Sequence, residues 1–267
     1  VVAHVDRAVV AAPELTFSLL DAAGKVVAQE KKIGDRATGP GEVQAELSLA
    51  EPHLWNGIKD PYLYTLRVSL TAADGSKDLE ELHVGFRTII IDKDKGLFLN
   101  GQPYPLHGVC RHQDRENESW AVSDAQQRED VAIIRELGAN AVRCAHYAHS
   151  EAFLDACDRA GLLVWSEVSV IDTVGHEPEA FGANAESQLR EMIAQQRHHP
   201  CVFTWSLFNE IGHQPGADPL PVLKRLNEVA HALDHSRPTV GASNQQKKQI
   251  NTITDIIAFN AYPGWYH

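Results

Sequence analysis

Basic residues are in short supply: 24 lysines and arginines stand against 36 aspartates and glutamates, a formal net charge of 24 − 36 = −12. Nucleic acids and anionic membrane surfaces are bound through a basic face, so this deficit argues against both as partners. No apolar run approaches the ~20 residues needed to span a bilayer, and no signal peptide is visible. Cysteine is scarce too. Cys110, Cys144, Cys157 and Cys201 are widely separated inside apolar patterns, and no CxxC occurs. That spacing fits buried, reduced thiols better than a disulfide framework or a cysteine zinc site, and it leans toward a cytoplasmic setting. Also missing are a GxSxG and a GxGxxG behind a strand, which leaves α/β-hydrolase and dinucleotide chemistry without support.

What is present is a sizeable core. Apolar residues make up 43% of 267 and charged residues 22%, enough for one large domain or two ordinary ones. The chain opens at Val1, without Met, inside an alternating apolar pattern, and stops at Trp265-Tyr266-His267 without a closing helix. It reads as an internal fragment of something longer.

Residues 1–92 carry short alternating runs at Leu15–Leu20, Lys25–Gln29, Val43–Leu49, Tyr62–Thr71 and Glu80–Val84. Turn signals separate them at Asp21-Ala22-Ala23-Gly24, Gly39-Pro40-Gly41 and Ala73-Asp74-Gly75-Ser76. This is the pattern of an antiparallel sandwich. Tyr64, Leu66, Val68 and Leu70 share the buried face of one strand. The aromatics of Pro52-His53-Leu54-Trp55 and Pro61-Tyr62 suggest a structural corner, with a sugar-stacking surface as the alternative.

From residue 93 strands and helices alternate. The expected strands are Tyr104–Arg111, Ala139–Ala145, Leu162–Glu167, Cys201–Phe208, Pro238–Ala242 and Asp255–Phe259. The expected helices are capped at Ser123 and Ser150 and stopped at Gly138 and Gly161; a third runs over Asn184–Arg197 and a fourth over Pro219–Leu233. Repeated βα units imply a parallel sheet, and about six in succession favour a (β/α)₈ barrel. His112 and Asp114, Arg143 and His146, Glu167, Asn209 and Glu210, and Asn260 and Tyr262 all fall at C-terminal strand ends. In a barrel those ends converge on one pocket.

Carboxylates framed by aromatics and amides fit glycoside hydrolysis, in which one acid protonates the leaving oxygen and a second carboxylate attacks or activates water. A lone Asn209-Glu210 would more simply cap the next segment or meet an arginine; the repetition at other strand ends makes that reading weaker. His112 with Asp114, or Glu167 with His176, offers ligands for a divalent ion. Such pairs in a sugar site more often hydrogen-bond hydroxyls, so no metal or other cofactor is assigned.

Asn140-Ala141-Val142-Arg143-Cys144-Ala145-His146-Tyr147, continuing through Phe153-Leu154-Asp155-Ala156-Cys157-Asp158 to Gly161-Leu162-Leu163-Val164-Trp165, resembles one signature of glycoside hydrolase family 2. His199-Pro200 with Trp205-Ser206-Leu207-Phe208-Asn209-Glu210 resembles the second. The resemblance implies a multidomain β plus α/β protein: an immunoglobulin-like β-sandwich at 1–92, then an incomplete (β/α)₈ TIM barrel at 93–267 holding about six βα units. It implies that Glu210 is the general acid/base and that Asn209 bonds the sugar 2-hydroxyl. His146 and His112 would line the sugar subsite, and Tyr262 would hydrogen-bond the nucleophile. Asp114, Glu167 and Trp265 complete the substrate-binding set.

Within the family, Gly108-Val109-Cys110-Arg111-His112-Gln113-Asp114-Arg115 and His146-Tyr147-Ala148-His149-Ser150 look most like bacterial β-galactosidases. The ending Asn260-Ala261-Tyr262-Pro263-Gly264-Trp265-Tyr266-His267 also resembles β-glucuronidases. Ala148 stands where many members have proline. Val170-Ile171-Asp172 stands where magnesium-binding members have a Glu and a His two residues apart. The family's nucleophile belongs to a seventh strand, beyond His267, so these residues alone are not expected to turn over substrate. The function implied is retaining cleavage of terminal β-D-galactosides, with a β-glucuronidase or a non-catalytic carbohydrate-binding scaffold as alternatives. The partner is a carbohydrate, and self-association stays open.

Overall fold

The computed structural model describes residues 1–5, 13–34, 41–72, 74–212, 215–245 and 248–264. Trp265 and the Gly39-Pro40 turn lie outside them. The chain divides into two compact units, Val1–Trp55 with Asp60–Arg87, and Asn56–Lys59 with Thr88–His267.

The first unit is made of β1 (Val2–Val5), β2 (Glu14–Leu20), β3 (Val26–Ile33), β4 (Gly41–Gln44), β5 (Tyr64–Thr71) and β6 (Lys77–Val84). β3-β2-β5-β6 form one antiparallel sheet and β1-β4 another. Leu15 and Phe17 of β2 pack with Val68 and Leu70 of β5 against Ala3, Val5 and Val43 from the second sheet. Two sheets burying their inner faces against each other make the immunoglobulin-like sandwich. The Val43–Leu49 run yields only Gly41–Gln44 as strand. Past it, Ala45 still pairs with Val1 in the register of β1, and the ladder stops where the Glu46 amide turns to the Glu30 side chain. Around Trp55, which is fully buried, His53 stacks on Tyr62 at 3.9 Å and bonds Asp60 at 2.6 Å. Tyr62 also accepts the Ala22 amide at 3.1 Å, which suits a structural corner.

The second unit begins with a small antiparallel sheet of β7 (Ile89–Asp92), β8 (Gly96–Leu99) and β9 (Gln102–Pro103). β10 (Gly108–Arg111), β11 (Ala141–Cys144), β12 (Leu163–Glu167), β13 (Val202–Asn209), β14 (Thr239–Ser243) and β15 (Ile256–Phe259) then form one parallel sheet in sequential order. Strands that each neighbour the next make the barrel order; a doubly wound sheet reverses. β10 is shorter than the Tyr104–Arg111 expected. The backbone before it is bonded elsewhere: the Tyr104 amide to the Leu97 carbonyl, and Pro105 and His107 to the side chain of Asn140.

α1 (Asp124–Glu136), α2 (Glu151–Ala160), α3 (Pro178–Gln196) and α4 (Leu220–Leu233) return the chain between strands. None of the described helices is long and apolar enough to cross a membrane. The caps are those the sequence signals. Ser123 and Gln126 close a capping box on α1, and the Ser150 hydroxyl accepts from the Phe153 amide of α2. α3 starts six residues before the expected Asn184, because Pro178 sits in its first turn and Gly182, Ala185 and Leu189 continue its buried stripe. Cys144, Cys157 and Cys201 are buried free thiols, and burial pushes each above its ordinary range. Cys110 departs from the expectation: it is exposed, on the edge strand β10.

Behind β10 and β11 lies a buried polar cluster. Arg111 binds Asp130 at 2.6 Å, Gln127 at 2.6 Å and His149 Nδ1 at 3.1 Å. Burial and then the Arg111 charge hold His149 down to about 3, so its ring is neutral in the fold. Its depressed value makes the unfolded chain bind the proton first as pH drops from 6.5, and the contribution is lost by about 3. The stability gap between the wild type and His149→Gln should therefore narrow on acidification from pH 7 to 4 in urea melts. A pH-independent gap would refute this. At the end of α2, Gly161 adopts φ +73°, and a Cβ there would lie 2.3 Å from the Gly57 carbonyl oxygen. Gly161→Ala should cost about 2–4 kcal/mol in the same melts.

Candidate active site

β13 is apolar from Val202 to Phe203 and from Leu207 to Phe208, and all eight of its residues are buried. Such a strand suits the middle of a parallel sheet with both faces covered. It delivers Asn209 at its last position and Glu210 immediately beyond. A register shift against β14 between Ser206 and Phe208 marks a bulge just before them. Gly241 of β14 lets Phe208 sit there: a Cβ on Gly241 would be 2.1 Å from that ring. Glu210 takes φ +50°, an unfavourable conformation for a residue with a side chain. Its amide bonds the Ala242 carbonyl at 2.8 Å, which fixes the turn. Asn244 donates to Glu210 Oε2 at 2.9 Å, and Asn260 makes a short hydrogen bond to Oε1.

Beneath this carboxylate lies a second one, Glu167, at the end of β12 and 0% exposed. Arg143 of β11 binds Glu167 Oε2 through Nε at 3.1 Å and Nη2 at 2.9 Å, and Ser206 adds a hydroxyl at 2.9 Å. His146 Nδ1 makes a short hydrogen bond to Oε1. Arg143 also reaches Asn209 Oδ1 at 2.8 Å and Asn260 Oδ1 at 3.1 Å, and its guanidinium lies over the Trp165 ring. Asn260 donates to Asn209 Oδ1 at 3.0 Å. Two donors on its oxygen fix the orientation of the Asn209 side-chain amide.

The expected residues are thus sorted by depth. Asn209, Glu210, His146, Arg143 and Asn260 share one hydrogen-bonded set with Glu167 underneath. His112 is exposed and meets the His146 ring edge-on at 5.3 Å. Asp114 and Tyr262 are exposed, and Trp265 lies outside the described residues. Neither His112 with Asp114 nor Glu167 with His176 belongs to a three-ligand cluster among the described residues. Val170-Ile171-Asp172 runs beside the end of β13, with Ile171 bridged to Asn209 and the Asp172 amide on the Asn209 carbonyl. Asn244 and Ser206 were missed from sequence. Asn244 directly follows β14 and was open to the strand-end rule; Ser206 lies inside an apolar run with no such signal.

A parallel sheet in barrel order, with a carboxylate and an amide at the end of its fourth strand, agrees with the family comparisons. The model "Glycosyl hydrolases family 2, TIM barrel domain" matches residues 90–267, and "Glycosyl hydrolases family 2" matches 2–87. The chain belongs to glycoside hydrolase family 2. Among its family 2 relatives, a β-glucuronidase of Bacteroides fragilis is 40% identical over 84% of this chain and 33% of its own length. A β-galactosidase of Thermoanaerobacter pseudethanolicus is 34% identical over 83% of this chain and 29% of its own. The crystal structure of a Bacteroides uniformis β-glucuronidase superposes with a TM-score of 0.89 at 32% identity, covering 99% of this chain and 34% of that one. The chain spans about a third of the length of the curated family 2 relatives it matches.

Arg143 and Glu167 test the internal electrostatics of this site. Arg143→Met leaves Glu167 charged in a dry interior, a loss of about 3–5 kcal/mol. Arg143→Met with Glu167→Leu removes both charges and should recover much of that loss in chemical denaturation. A double variant no better than Arg143→Met would show that the pair is not what fails.

Proposed function

We propose that the protein containing this chain is a retaining exo-β-glycosidase acting on terminal β-D-galactosides, with Glu210 as general acid and then general base. The observation that carries this is the placing of Glu210: beyond the fourth parallel strand, turned by its backbone toward the shared strand ends, with a side-chain amide on each carboxylate oxygen. Held so, the carboxyl can hand a proton to the leaving glycosidic oxygen and later take one from the attacking water. Asn209, oxygen-locked by Arg143 and Asn260, offers N–H to a sugar hydroxyl, the role we give it at the 2-position. We assign His146 and His112 to the wall of the sugar subsite, with Asp114 and Tyr262 farther out, and give Trp265 a substrate-binding role on the sequence alone.

Glu167 is chemically a candidate for the second carboxylate, but its oxygens are already taken by Arg143, His146 and Ser206 with no exposure. We therefore make it a positioning residue, and place the nucleophile on a seventh strand outside these 267 residues. A β-glucuronide is the second reading, favoured by the 40% identity to the B. fragilis protein of that name.

The complete protein should be assayed on nitrophenyl β-galactoside and β-glucuronide beside Glu210→Gln. Loss of the acid/base should lower turnover by about 10²–10⁴-fold, and the ratio of the two wild-type activities selects the sugar. Azide should rescue Glu210→Ala on a substrate with a good leaving group, releasing a β-glycosyl azide. Undiminished activity in Glu210→Gln would falsify the assignment; a wild type inert on both sugars that still binds them would favour the carbohydrate-binding scaffold.

A further inference from the structure

Away from the strand ends, the flank of α2 and the turn joining α3 to β13 bring together Glu151, His198 and His199, whose donor atoms all lie within 4.8 Å of one another. His199 Nε2 is 2.9 Å from Glu151 Oε2, and His198 Nε2 is 4.0 Å from the same oxygen. Ligands at ~2.0–2.1 Å around a tetrahedral Zn²⁺ sit about 3.3 Å apart, between those two separations. The imidazoles lie side by side, centroids 4.0 Å apart and tilted by 36°.

The far side of the His199 ring is already engaged. His199 Nδ1 bonds Asp158 at 2.6 Å, and Asp158 is itself 0% exposed and held by the Cys201 amide at 2.9 Å. His198 bonds the backbone of Gln195. A histidine whose second nitrogen is fixed by a carboxylate or a carbonyl is the usual partner arrangement of a metal ligand, because it sets the tautomer and the ring direction. An ion pair of Asp158, His199 and Glu151 would explain His199 alone. It does not involve His198, whose Nε2 stands 4.0 Å from the same oxygen, beyond hydrogen-bond reach.

We propose that Glu151, His198 and His199 form a Zn²⁺ site that ties the first turn of α2 to the turn feeding β13. Two imidazoles and one carboxylate are a borderline donor set, suited to Zn²⁺ rather than Mg²⁺ or Ca²⁺. The cation replaces the proton that His199 Nε2 otherwise shares with Glu151. Glu151 is 55% exposed in its side chain, so ion entry and a water ligand come from that side.

The complete protein, stripped with EDTA and dialysed, is titrated with ZnCl₂ against a chromogenic chelator, alongside Glu151→Gln and His198→Asn. Both variants keep the Asp158–His199 pair. The expected result is one Zn²⁺ equivalent in the wild type that weakens at least tenfold in each variant, and a rise in Tm with Zn²⁺ but not Mg²⁺ in the wild type only. Zinc-edge anomalous scattering from wild-type crystals should peak between the three side chains, a readout that does not depend on variant folding. No bound zinc, zinc unaffected by either substitution, or an anomalous map without that peak would overturn the proposal.

Discussion

The strand ends depend on one buried ion pair. Glu167 has no exposure, and bringing a carboxylate out of water costs several kcal/mol even after relaxation. The cost is offset only because Arg143 binds the carboxylate through two of its nitrogens while Ser206 and His146 take further lone pairs. Arg143 has donors to spare, and these go to Asn209 and Asn260. One guanidinium thereby ties together β11, β12, β13 and the end of β15. An apolar pair of the same volume would hold four strands together as well, and without a desolvation cost. It would not orient two amides and an imidazole. The pair is better understood as the device that aims the polar residues than as a source of stability.

That aiming is carried outward by backbone geometry. The bulge in β13 and the missing side chain at Gly241 let Phe208 pack inside the sheet, so the next two residues emerge at the strand end. Glu210 then adopts φ +50°, at a cost of about 1–3 kcal/mol for a residue with a Cβ. Its backbone bond to Ala242 and its two asparagine partners hold it there. Strain confined to one residue, and over-determined by its neighbours, is what fixes a single side-chain direction.

Much of this was legible in the residues. Ser123, Ser150, Gly138 and Gly161 punctuate helices by local chemistry that acts wherever it occurs, and the strands between them follow. The convergence of Arg143, His146, Asn209, Glu210 and Asn260 follows from topology once the sheet is parallel. What was illegible depends on partners distant in sequence. β10 is short because Asn140 captures the backbone before it, and no pattern in Tyr104–Arg111 reports that. Ser206 looks like a polar interruption of an apolar strand until Glu167 is seen across from it. The depth of Glu167 itself was hidden, because a strand-end carboxylate reads the same whether it faces the pocket or the floor beneath.

Glu167 and Glu210 share a functional group and adjacent strand ends, and their surroundings give them different chemistry. Every oxygen of Glu167 is bound by a cation, an imidazole or a hydroxyl, and none reaches solvent. Those partners are the network that orders its neighbours. Glu210 is partly exposed, with an asparagine amide on each carboxylate oxygen fixing its direction. The contrast between a carboxylate closed in by its partners and one left partly exposed is what the sequence of β12 and β13 encodes.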